Sequence, residues 1–144
     1  METIIQEKIS ADHLLYVSLK YTKTTDIMLN LIERWKSMIA LSIDKLLEKA
    51  RKKKKLGSIP GVPKLKIEKV KKIYKKEKEI IDGIEIYEFF KRISKEEKIR
   101  ENEFRKNVTL RVNDNGEWVN IDVEKLKEYN GILERFISKL RQIV

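Results

Sequence analysis

Few side chains in this chain can do more than pack or stay solvated. Histidine occurs once, as His13, and cysteine not at all. This excludes disulfides, thiolate metal sites and any centre needing two imidazoles. A metal could be held only by carboxylates. Asp44 with Glu48, and Glu97 with Glu101, stand four residues apart, so each pair shares one helix face. Such pairs are ordinary on solvated helices, and no metal site or cofactor is predicted. Nucleophilic catalysis needs a serine or lysine beside a base. The only imidazole, His13, falls in the first turn of a predicted helix, where it reads as a surface or packing residue. No GxGxxG or GxxxxGK[ST] phosphate loop is present. The Gly57 to Gly61 stretch lacks the preceding strand such a loop needs.

What remains is lysine, and it is concentrated. The chain carries 33 Lys and Arg against 23 Asp and Glu, a net charge of +10. Thirteen of the basic residues lie between Arg51 and Lys78, with only Glu68 and Glu77 against them, so this segment holds the whole excess. A local concentration of charge points to an anionic partner better than a diffuse one does. The candidate contacts are Arg51, Lys52, Lys53, Lys54, Lys55, Lys64, Lys66, Lys69, Lys72 and Lys76. The expected partner is RNA or another polyanion, bound without chemistry. An ammonium is a point charge rather than a fork, so backbone or shape recognition is expected instead of base reading. The competing reading is a solvated lysine-rich hairpin in a protein-protein interaction or scaffold protein. Convergence of Lys52 to Lys55 with the lysines after Pro63 separates the two.

The elements that place these residues follow from hydrophobic spacing. Ala11, Leu14, Leu15 and Ser18 suggest a first helix over 10–20, capped by Ser10. After a break at 21–25, Met28, Ile32, Trp35, Ile39, Ile43, Leu46 and Ala50 recur at three and four residues. Ile27, Leu31, Met38 and Leu41 widen that face beyond what a surface helix needs. Asp26 or Thr25 is the expected cap. The helix is therefore either the centre of the core or core on one side and a homodimer interface on the other. Leu56 to Pro63 holds both prolines and two of five glycines and is a loop. It sits within a basic helical hairpin, 51–78. A helix follows over 64–79, broken at Asp82-Gly83, with a short buried helix over 84–93. The charged stretch 94–105 suggests a helical turn or a further short helix. Val108, Leu110 and Val112 then alternate towards Asn115-Gly116, and Val119, Ile121 and Val123 alternate after it. Asn-Gly is the strongest short hairpin signal. It pairs Val112 with Val119, Leu110 with Ile121 and Val108 with Val123, all on one face. Asp122 caps a last helix carrying Leu126, Tyr129, Leu133, Phe136, Leu140 and Ile143. The fold class is mainly α: one domain over 1–144, an up-and-down helical bundle with a small β-hairpin at about 107–122 before the C-terminal helix.

This order of elements resembles the HEPN superfamily of small helical prokaryotic proteins. The features are Ala11-Asp12-His13-Leu14-Leu15-Tyr16, the long helix from Asp26, and the charged run Glu101 to Arg105 leading into Val108-Thr109-Leu110-Arg111-Val112. The resemblance implies a dimer and a nucleotidyltransferase-type partner protein. In that family's ribonucleases an arginine precedes a histidine by four to six residues. Neither Arg100 nor Arg105 is followed by one, so the resemblance implies a non-catalytic member, with a degenerate ribonuclease built on Arg100, Arg105 or His13 as the remaining enzymatic option. Lysine outnumbers arginine 25 to 8, and this Lys/Glu-rich, cysteine-free composition fits a thermophilic source. With no signal-peptide shape and no run of about 20 apolar residues, a cytoplasmic protein is expected.

Overall fold

The computed structural model describes all 144 residues. The chain is mainly helical. Helix α1 spans Glu2–His13 and continues through a π turn, Leu14–Ser18, into Leu19–Tyr21. Then come α2 (Thr25–Lys52), α3 (Pro63–Ile73) and α4 (Lys78–Ile93). Strands β1 (Lys98–Glu101), β2 (Thr109–Asp114) and β3 (Glu117–Ile121) form an antiparallel sheet in that order, and α5 (Val123–Ile143) closes the chain. No helix is long and apolar enough to cross a membrane.

The organising element is α2. Met28, Leu31, Trp35, Met38, Ile39, Leu46 and Leu47 are wholly buried. Its broad face is covered inside the chain by α1, α3, α4 and β2. The wide apolar face is thus used largely within the chain's own core. Trp35 stacks on Phe90 of α4 at 5.9 Å between centroids, and Phe90 meets Tyr129 of α5 edge-on at 5.7 Å. These rings tie three helices together.

The first helix begins at Glu2 rather than at Ser10, which lies mid-helix. Its stripe is Ile4, Lys8, Ala11, Leu15 and Leu19. Lys8 hid the period: its stem is buried while its ammonium reaches Asp12 and, at 3.4 Å, Glu134 of α5. The π turn brings the Tyr16 hydroxyl to 3.1 Å from Asn130 Nδ2, which donates to it.

At its N-terminus α2 is capped by Thr24, one residue before the expected caps, whose hydroxyl accepts from Ile27 N. The Glu103 carboxylate accepts from Thr25 N at 2.8 Å, and Arg100 pairs with Asp26. Acids at this end suit the positive end of the helix dipole.

Asp82-Gly83 does not break a helix. The break falls at Tyr74 to Glu77, and α4 runs through both residues. Gly83 is present for space, because a Cβ there would lie 2.3 Å from Phe136 Cδ2. Asp82 pairs with Lys78 one turn earlier.

The hairpin has the expected register, with Leu110 opposite Ile121 and Val112 opposite Val119. Asn115 and Gly116 both have positive φ, 54° and 93°, which their turn requires. Val108 is buried just before β2 and Val123 opens α5, so the third expected pair is not part of the ladder. The charged stretch 94–105 is not a helical turn throughout: Lys98 to Glu101 form a third strand, with Ile99 opposite Arg111. A short, charged edge strand of this kind resists pairing with other chains. As expected, Asp122 caps α5, accepting from Lys125 N at 2.8 Å.

Two stability outcomes follow. Gly83→Ala gains helix propensity but forces a methyl into the buried Phe136 ring. Overpacking of this kind costs about 1–3 kcal/mol, more than the ~1 kcal/mol of propensity, so denaturant melts should show a less stable protein. Burial raises the phenols of Tyr74, Tyr87 and Tyr129 above the usual value, Tyr129 to about 12. The folded state therefore holds these protons longer than the unfolded chain. Stability is full below about pH 10 and is lost as pH rises through about 12. Tyr129→Phe should flatten the stability curve in that alkaline window.

Candidate anion-binding surface

Helix α3 sorts its lysines by position around its axis. Ile67 and Val70 form the buried stripe. Lys66 and Lys71 flank it and pair with acids of neighbouring helices, Lys66 with Asp44 of α2 at 2.9 Å and Lys71 with Glu88 of α4. Lys66 is thus already paired in the unbound protein, unlike the other candidates. Lys64, Lys69 and Lys72 face solvent. Of the thirteen basic residues in 51–78, only Lys66, Lys71 and Lys78 have a carboxylate within 4 Å. The other ten are exposed and unpaired.

The path of α3 decides where those charges meet. An antiparallel hairpin partner would carry its C-terminal lysines away from Lys53 to Lys55. Instead α3 crosses α2. Its first turn reaches Asp44, and its end returns to the C-terminal part of α2, where the Tyr74 hydroxyl donates to Leu46 O at 2.7 Å. The result is a cleft of about 530 Å³ where the ends of α2, α3 and α5 meet. Its walls carry Lys49, Lys53, Lys55, Lys75 and Lys76, and its floor Ala50, Ile73, Tyr74 and Ile143. Glu77 is its only acid, held by Lys139 at 3.0 Å. Burial holds the Tyr74 phenol protonated.

Lys53, Lys55 and Lys76 were legible as candidates. Lys49 and Lys75 were not singled out. Lys49 precedes Lys53 by four residues on the same helix face, a spacing visible in the sequence. Arg51, Lys52 and Lys54 lie on the exposed rim outside the cleft lining.

The turn at Lys53 to Lys55 also carries strain. The Lys55 N–H donates to Ala50 O at 2.9 Å and the Lys54 N–H to Arg51 O at 3.0 Å. This is the Schellman pattern of helix termination, in which glycine usually takes the left-handed position. Here that position is Lys54, with φ of 60°. A cation stands where glycine would be relaxed.

The residues of the enzymatic option have other neighbours. His13 is exposed and its polar neighbour is Ser18 Oγ at 3.5 Å, whereas Arg100 is engaged by Asp26. Neither these two nor Arg105 lines the lysine cleft. No cluster of three or more potential ligands could hold a metal ion.

No family model, curated protein or solved structure matches the chain.

Replacing Lys54 by glycine should relieve the left-handed strain. Thermal unfolding should show a gain of about 0.5–1 kcal/mol, with the neighbouring lysines in place.

Proposed function

We propose that this protein is a non-enzymatic helical module that binds RNA through the phosphate backbone, using the exposed lysines of α3 and of the turn after α2. The observation that carries this reading is the convergence of two separate lysine segments on one cleft with no free acid in it. Lysines kept only for solubility have no reason to converge, since mutual repulsion disfavours it. The strained Lys54 supports the same reading, because a cation is retained there at a cost in backbone energy. Tyr74, the one aromatic in the segment, is buried. Base stacking therefore plays little part, and binding should depend on charge and not on sequence.

A protein-binding scaffold is the second reading. It is favoured by the exposed apolar side chains of Ile9 in α1 and of Tyr16, Val17 and Tyr21 in the turns that follow it.

Fluorescence anisotropy with a single-stranded RNA across a salt series tests the proposal, the same samples being run on a denaturing gel. Tight binding at low salt should weaken with a log–log slope of about 0.7 per phosphate neutralised. Exchanging Lys52, Lys53, Lys54 and Lys55 for glutamine should lower affinity on the order of tenfold and reduce that slope. Absence of binding at low salt would leave the scaffold reading. Cleavage of the strand would instead make the protein a ribonuclease.

A further inference from the structure

We infer that the cleft between the ends of α2, α3 and α5 seats a terminal phosphate of an RNA strand, while the outer lysines of α3 hold the diesters next to it. The inference rests on the polyanion reading of the same surface and assigns its parts different tasks.

Charge density distinguishes the cleft from the rest of the face. Lys64, Lys69 and Lys72 are separate exposed cations on α3, each able to meet one phosphate of a strand. In the cleft, five ammonium-bearing side chains surround a single hollow of about 530 Å³. That volume lies within the range of small-ligand sites. The local counter-charge is insufficient. Glu77 is engaged by Lys139. The carbonyl ends of α2, α3 and α5 supply only about half a negative charge each, still well short of five ammoniums. One diester in the hollow would leave most of the lysines facing one another. A terminal phosphomonoester carries about −1.5 to −2, and a terminal chain of phosphates more.

The floor reinforces this assignment. Ala50, Ile73, Tyr74 and Ile143 offer carbon to the hollow. The Tyr74 hydroxyl is already donated to Leu46 O. An apolar floor displaces water beneath a bound anion and strengthens its attraction to the surrounding ammoniums. Tyr74 is 9% exposed, so the seat recognises charge and not a base.

The test compares one short RNA prepared with a 5′-triphosphate and with a 5′-hydroxyl, with inorganic tripolyphosphate as competitor. Three folded proteins are titrated, their helicity checked by circular dichroism: wild type, a cleft variant (Lys53→Gln, Lys75→Gln, Lys76→Gln) and a face variant (Lys64→Gln, Lys69→Gln, Lys72→Gln). Wild type should bind the triphosphate form at least about tenfold more tightly, and tripolyphosphate should erase that difference. The cleft variant should lose the preference while still binding the hydroxyl form. The face variant should weaken both forms and keep the preference. Equal wild-type affinity for the two RNAs overturns the end seat and leaves the polyanion reading standing. Failure of both RNAs to bind overturns both. A preference that survives in the cleft variant, or tripolyphosphate binding without any preference between the RNAs, overturns the assignment of this cleft to an RNA end.

Discussion

Helix α2 exposes more apolar surface than one neighbour can cover, and covering it dictates the arrangement of everything else. At 28 residues it is also far longer than α3 or α4, so partners must be distributed along it. Helix α1 takes one side, α4 and the sheet another, and α3 the C-terminal stretch. The stack of Trp35 on Phe90, extended edge-on to Tyr129, locks the middle. Because α4 must approach α5 closely at this level, position 83 has room for a hydrogen and nothing larger. The crossing of α3 follows from the same demand. Ile67 and Val70 have to reach the last turns of α2, and that path carries Lys75 and Lys76 back to Lys49 and Lys53. Burying α2 fixes where the cleft lies, while the five lysines on its walls are set by the sequence.

Strong periodic signals made much of this legible from residue types alone. The long apolar stripe of α2, the Asn115-Gly116 turn with its two central pairs, and the Asp122 cap each combine a local preference with a matching burial pattern. The misses share a physical origin: a residue whose local preference is overruled by a partner distant in sequence. Lys8 breaks the apolar stripe of α1 on paper, yet Glu134, far along the chain, lets its stem be buried. Gly83 looks like a terminator until Phe136 is seen against it. Strand β1 has one apolar residue in four and exists because β2 offers it a ladder. For the candidate surface, composition located the charges but not their grouping. Lys64 and Lys66 are neighbours in sequence, and only the fold shows that one is free and the other bound to Asp44.

The two ends of α2 are treated in opposite ways. At the N-terminus, Glu103 and Asp26 bring acid to the positive end of the dipole, with Arg100 closing the charge. At the C-terminus, cations meet the carbonyls in far greater number than the dipole can balance. Local neutralisation explains the first end and leaves the second in excess.

That imbalance leaves an excess of positive charge towards the C-terminal end of α2. In the field of any polyanion, such a body experiences a torque before it makes a contact. It turns during approach so that the C-terminal end of α2 leads, and fewer collisions are wasted on unproductive orientations. Encounter rates should therefore fall as added salt shortens the Debye length from about 30 Å at 0.01 M to about 8 Å at 0.15 M. The charge asymmetry would set which way the protein faces a polyanion on approach.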